Sequence, residues 1–161
     1  MVPYRTVFEE LDKRQIRYLV AGGFAVNFHQ VQRATVDLDL IIEIEKDNIL
    51  KFVALMKELG FVPRLPVEAA DFADDTIRRR WISEKGMMVF TFIHQKNPFE
   101  VIDVFSEEPF PFDKLWERRL RVSAFGLELP VVGKADLIAM KKKANREKDR
   151  FDIEQLKKNT D

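Results

Sequence analysis

The chain has 161 residues, 46% of them hydrophobic and 34% charged, with no cysteine and with 27 basic side chains against 27 acidic. That length is enough for one compact domain with a real core, and the composition is that of an ordered globular chain. Balanced charge gives no overall pull towards nucleic acid or membrane, and the missing cysteines exclude a disulfide scaffold, a thiolate zinc site and a cysteine nucleophile.

The expected organisation is a single domain over residues 1–161, with a core over 16–132 and a helical segment over 133–161. Met1 to Leu11 is charged rather than signal-like, and the longest apolar runs are too short to span a bilayer. A cytoplasmic protein with no membrane partner is expected.

Tyr4, Val7, Phe8 and Leu11 recur at helical spacing, so an amphipathic helix opens the chain. Tyr18 to Ala21 is a short apolar strand broken by Gly22-Gly23, after which Phe24, Ala25 and Phe28 return to helical spacing. From Asp37 the pattern has period two. Asp37, Asp39, Ile41 and Glu43 share one face of a strand, and Leu38, Leu40, Ile42 and Ile44 share the other. The two aspartates are roughly 6.5–7 Å apart along the backbone and can converge on one point. A bare D-x-D is more often a solvated strand end, but here a glycine turn and a helix start directly precede it. Backbone N–H groups at such a turn suit a phosphate, and paired hard oxygen ligands suit magnesium.

Ile49, Phe52, Val53, Met56 and Leu59 mark a further helix, with Asp47 as its expected cap and Gly60 at its end. Phe61 to Leu65 reads as a short strand. Val67 to Ser83, with Asp71, Asp74 and Asp75 followed by Arg78, Arg79 and Arg80, reads as a solvated helix and turn whose arginines could reach a triphosphate or nucleic acid acceptor. Trp81 and Ile82 suggest entry into a strand. Met87 to Ile93 has the continuous apolar pattern of a strand buried on both faces. A turn at His94 to Pro98 leads to the returning strand Phe99 to Phe105, which places Asp103 between Val101 and Phe105 on one face. A buried carboxylate there needs a cation or a hydrogen-bonding partner.

A short helix near Trp116 to Leu120 precedes a hairpin of Val122–Phe125 and Leu127–Val132. Two helices follow, the first with Leu137, Ile138 and Met140 on its apolar face and Asn145 at its end, the second with Phe151, Ile153 and Leu156. Lys134 to Arg150 carries seven basic and three acidic residues. His29 and His94 show no zinc-type spacing; His29 is expected beside its helix and His94 in a turn. The fold class is therefore α/β, a mixed twisted sheet with helices mainly on one face and a C-terminal helix pair.

Gly22-Gly23, Arg33, Thr35, Asp37, Asp39 and the apolar run after them resemble the nucleotidyltransferase superfamily with the DNA polymerase beta-like palm fold. The similarity extends to its minimal single-domain members: AbiEii-type toxins of toxin–antitoxin pairs, and aminoglycoside and lincosamide nucleotidyltransferases. The string R-x-T-x-D-L-D-L at Arg33 to Leu40 looks more like the toxin-related branch. Leu137 to Lys141, then Arg146, Lys148-Asp149 and Asp152, resemble that branch's C-terminal helix pair. Gly23 stands where many members carry serine, and Lys142 and Asn145 replace an apolar residue and a glycine.

The resemblance implies a metal-dependent transfer of a nucleotide monophosphate from a nucleoside triphosphate such as ATP. Asp37, Asp39 and Asp103 would hold two Mg2+ ions (Mn2+ being an alternative) and carry the catalysis. Gly22, Gly23, Arg33, Lys141, Arg146 and Asp149 would form the nucleotide and phosphate site. The acceptor would be a tRNA, a protein or a small molecule, with an antitoxin as a candidate partner. Two alternatives stay open: an inactive nucleotide- or RNA-binding descendant, and a two-metal phosphodiesterase.

Overall fold

A computed structural model of the chain describes residues 4–159; Met1–Pro3 and Thr160–Asp161 of the expected domain lie outside the described residues. Seven strands form one sheet in the order β3-β4-β5-β2-β1-β7-β6. They are β1 (Tyr18–Ala21), β2 (Leu38–Ile42), β3 (Phe61–Pro63), β4 (Val89–His94), β5 (Val101–Phe105), β6 (Leu120–Ala124) and β7 (Leu127–Val131). Of the six neighbouring strand pairs, four are antiparallel, whereas β2 and β5, and likewise β1 and β7, run parallel. Each parallel pair is therefore linked by a long crossover rather than a hairpin. The sheet is mixed, as the sequence pattern implies.

The helices are α1 (Arg5–Lys13), α2 (Gly22–Phe28), α3 (Lys46–Glu58), α4 (Asp75–Lys85), α5 (Phe112–Glu117), α6 (Lys134–Ala144) and α7 (Glu147–Lys158), with a 3-10 turn at Ala69–Ala73. None of them is long and apolar enough to cross a membrane. Register decides which face each strand residue joins. Leu38 pairs with Ile102, Leu40 with Val104, and Phe90 and Phe92 extend the same rows. That face is fully buried. Phe52 of α3 meets Phe92 edge-on at 5.9 Å, Phe72 stacks on Phe90 at 4.9 Å, and Trp81 of α4 lies 5.3 Å from Phe90. Such aromatic contacts add to area burial and lock the helices against the sheet.

Several local expectations change. Trp81 and Ile82 continue α4 rather than entering a strand: Asp74 caps its start by accepting from the Ile77 N–H at 3.0 Å, and Gly86 ends it at φ 62°. Trp81 has its apolar partner in Phe90, so packing outweighs the modest helix propensity of an aromatic residue. β4 is not buried on both faces. Phe90 and Phe92 are covered by Phe52, Phe72 and Trp81, whereas Val89, which faces the other way, is 37% exposed. The cap of α3 is Glu45, whose carboxylate accepts from the Asp47 and Asn48 N–H groups, and Asp47 sits in the first turn. Arg78 is buried, bonded to the Phe72 carbonyl and paired with Asp75, and so is withdrawn from any phosphate. His29 is buried against the Val132 carbonyl at 2.8 Å, and His94 closes its turn by accepting from the Lys96 and Asn97 N–H groups.

One side chain of α1's N-terminal edge ties the fold to its upper surface. The Tyr4 hydroxyl lies 2.7 Å from the Val36 carbonyl and 3.0 Å from the Val101 carbonyl, and accepts from the Val101 N–H at 3.1 Å. Burial pushes this phenol up to about 12. The hydroxyl therefore stays protonated and clamps the backbone just before Asp37 to the start of the strand carrying Asp103. Tyr4→Phe should cost about 1–3 kcal/mol, since buried backbone groups lose their partner. A urea titration that finds wild-type stability would show the clamp to be dispensable.

Candidate active site

The second sheet face carries chemistry where the first carries hydrocarbon. Across four adjacent strands the register aligns Ala21, Asp39, Asp103 and Thr91 in one row. Ala21 leaves room, and the next two positions place carboxylates side by side on parallel strands, about 4.8 Å apart in the pairing direction. The Thr91 hydroxyl donates to Asp103 Oδ1 at 2.6 Å and fixes that carboxylate. Asp37 stands at the exposed mouth, one residue before β2.

The glycine turn answers to the same acids. A Cβ on Gly22 would lie 1.8 Å from Asp39 Oδ2, and Gly22 has φ +60°, a region where side chains are strained. A Cβ on Gly23 would lie 2.5 Å from Thr35 Oγ1. Glycine at both positions lets the α2 turn close down on Asp39 and on the loop leading to β2. The close approach seen at this turn is to the neighbouring side chains of Asp39 and Thr35.

The opposite wall is basic. Lys141 on α6 is buried, with Nζ 3.0 Å from Asp152 Oδ2 and 3.5 Å from Asp149 Oδ1. Arg33 reaches the same Asp152 Oδ2 at 2.8 Å from a loop 119 positions earlier. Arg146, at the start of α7, holds Asp149 through Nε at 2.7 Å and Nη2 at 3.1 Å. Three cations thus share two buried carboxylates, which leaves the group with one net positive charge and a rigid set of positions. Burial pushes Asp149 up, but hydrogen bonds from the Arg146 guanidinium and backbone outweigh it and hold the carboxyl below its ordinary value.

Both walls line a single cavity of about 480 Å³. Of the sequence candidates, Gly22, Gly23, Arg33, Asp37, Asp39, Asp103, Lys141 and Arg146 all border it. Asp149 does not: it lies behind Arg146 and Lys141, and as an anion already bound to both it is suited to orienting them. Thr35 and Lys148 also line the cavity, and Thr91 and Asp152 support it from behind. Lys148 and Asp152 fall within the C-terminal motif, so their residue types were visible. Thr91 gives no sequence signal, because its role exists only through register.

Electrostatics show what the acidic wall lacks. Burial, then the charge of Asp103, then that of Asp37, push Asp39 up to about 7, against the opposing pull of Arg146 and Lys141. Partial desolvation and Asp103 likewise raise Asp37. A divalent cation would remove this repulsion. Among the described residues no three His, Asp or Glu side chains enclose a metal position as they stand. The donor set nevertheless fits magnesium, which is commonly held by one or two carboxylates with water and substrate phosphates completing its shell. The arrangement can therefore hold a polyphosphate between cations on one wall and metal-ready carboxylates on the other.

No protein-family model matches the sequence, and no match arises among curated protein sequences. Solved structures do share the fold. A lincosamide antibiotic adenylyltransferase, LnuA, solved with lincomycin bound, superposes with a TM-score of 0.65 at 15% identity, over 96% of this chain and 94% of that one. ANT(2″)-Ia in complex with adenylyl-2″-tobramycin gives 0.56 at 12% identity, over 93% and 82%. A solution structure of ANT(2″)-Ia gives 0.58 at 12% identity, over 94% and 78%. At these identities the likeness establishes that the chain has the nucleotidyltransferase-like fold.

Two outcomes follow from the charges. Asp39 has its folded value raised above the ordinary one, so its contribution to stability is full below about pH 4 and is lost as pH rises through about 7. Asp39→Asn should therefore melt higher than wild type at pH 8, with the gap closing towards pH 4. Equal melting temperatures at both pH values would contradict the raised carboxyl. Asp152→Ala strands Lys141 and Arg33 and should cost about 3–5 kcal/mol by chemical denaturation; a loss below about 1 kcal/mol would mean the pairs are solvated.

Proposed function

We propose that this protein is a metal-dependent nucleotidyltransferase, moving a nucleoside monophosphate from a nucleoside triphosphate such as ATP to an acceptor hydroxyl. The observation that carries the proposal is one cavity with aligned Asp39 and Asp103 on one wall and Arg33, Lys141, Arg146 and Lys148 on the other. Its volume falls within the range of small-molecule and cofactor sites. The shared fold with antibiotic nucleotidyltransferases supports the same reading.

Asp37, Asp39 and Asp103 would hold two Mg2+ ions, or Mn2+ in their place, and the metal would supply neutralisation of phosphate charge and activation of the acceptor hydroxyl. Arg33, Lys141 and Arg146 bind phosphate oxygens, and Asp149 and Asp152 keep them in position. Lys148, exposed at the rim, adds a mobile point charge for the leaving group. The Gly22-Gly23 turn lets the chain reach the phosphates closely. Thr91 occupies Oδ1 of Asp103, so Oδ2 is left to take the acceptor proton. In the step itself the acceptor oxygen bonds to the α-phosphorus, the α–β phosphoanhydride bond breaks, and pyrophosphate departs.

The motif likeness to toxin-related proteins brings a tRNA or protein acceptor, and an antitoxin partner, into range. The neighbours' names describe transfer to small antibiotics, and on fold that favours a small-molecule acceptor.

Incubation of the protein with labelled ATP, Mg2+ and cell extract should join the label covalently to an acceptor and release pyrophosphate. Asp103→Asn should slow this by about 10²–10⁴-fold, the usual contribution of a positioned proton acceptor. Full activity in that variant sinks the assignment, and free nucleotide as sole product marks a phosphodiesterase instead.

A further inference from the structure

The acidic row does not stop at Thr91. The Arg64 N–H donates to the Thr91 carbonyl at 2.9 Å, so the chain just after β3 adds Arg64 as the next position across the sheet. Its charge acts on Asp37, lowering a carboxyl that burial raises. Beyond it lies a separate hollow of about 220 Å³, bordered by Arg64, Leu65, Lys85, Met87, Val89 and Thr91 among others. Thr91 therefore links the two: it borders this second pocket, and its hydroxyl holds Asp103, which borders the main cavity.

Three features of the hollow are chemically informative. Its floor is apolar, and that surface is partly open, with Leu65 43% and Val89 37% exposed. Its only charged lining residues are two cations, and no carboxylate borders it. Neither Arg64 nor Lys85 forms a salt bridge or side-chain hydrogen bond among the described residues, in contrast to Arg33, Lys141 and Arg146, which are all paired. Unpaired cations at the rim of an apolar hollow suit a ligand that is itself apolar and anionic. The one aromatic residue among those bordering it, Phe90, is 1% exposed and already packed on other rings, so it offers no open stacking surface of the kind single-stranded nucleic acid uses. A polycationic ligand would meet only like charge.

We infer that the hollow beside Thr91 is the acceptor subsite, and that the acceptor is a small alcohol with an apolar body and a phosphate, sulfonate or carboxylate group held by Arg64 and Lys85. This rests on the transferase reading. The basic wall of the main cavity takes the triphosphate, so the acceptor must approach the carboxylates from the other side. The row Asp39, Asp103, Thr91, Arg64 leads directly to this hollow. The acceptor's hydroxyl would lie towards Asp103, with its apolar part against Leu65, Met87 and Val89.

The test uses a matched pair of fluorescent probes on the whole protein. 1-Anilinonaphthalene-8-sulfonate carries the required anion, and N-phenyl-1-naphthylamine has the same rings without it. The sulfonate should bind wild type at least about tenfold more tightly, and Arg64→Ala with Lys85→Ala should remove that preference while the neutral probe is unaffected. Val89→Glu should weaken both probes, and Mg2+ with ATP should displace neither. Equal affinity of the two probes for wild type overturns the inference. So does sulfonate binding that survives the double substitution, displacement by ATP, or displacement by a short single-stranded RNA. Because these readouts need no turnover, a positive pattern together with absent transfer would refute the catalytic proposal and leave the anion pocket standing.

Discussion

Two carboxylates that repel each other govern this structure. Asp39 and Asp103 are register partners on adjacent parallel strands, an arrangement that folding alone does not favour: burial and mutual charge push Asp39 up to about 7. Hydrocarbon at those two positions would make a more stable sheet, as the other face demonstrates with Leu38, Leu40, Ile102 and Val104. Retaining acids where apolar residues fit better is the pattern of a site selected for chemistry, with the strain borne by the rest of the domain.

The rest of the domain is built to carry that load. The covered face of the sheet is dense with aromatic contacts from α3, α4 and the 3-10 turn, which hold β4, the neighbour of the Asp103 strand, in place. Tyr4 clamps the approaches to both acidic strands from a third element. Thr91 fixes Asp103 by hydrogen bond, and Gly22 lets the α2 turn settle against Asp39. Each device acts within the few ångströms over which catalytic geometry has to be held.

Facing the acids, the C-terminal helices use a different solution. Lys141, Arg33 and Arg146 are held by Asp149 and Asp152, so the fold itself fixes their positions, and the phosphate binding proposed for them would need little reorganisation. Asp152 joins a residue of the loop before β2 to one on α6, so it also fastens the C-terminal pair to the sheet. The unpaired cations at Arg64 and Lys85 stand apart from this scheme, on the open side of the acidic row.

The sequence by itself determined most of the elements, though not the end of α4 or the bounds of α5, and it singled out the acidic pair and the glycine turn. Period-two alternation from Asp37 and at Asp103, helical spacing in the amphipathic stretches, and the Gly22-Gly23 break are all local signals, written within ten residues. Motif likeness then brought Arg33, Lys141 and Arg146 to the same cavity. Only the tertiary structure decided what depends on register and contact between distant segments. Trp81 is helical because Phe90 is waiting for it, and β4 buries Phe90 and Phe92 while leaving Val89 37% exposed on its other face. Asp149 is paired with Lys141 and Arg146 and does not line the main cavity. Tyr4, Thr91 and Arg64 join the site through partners far along the chain or across a strand, and pairing of that kind leaves no trace in residue spacing.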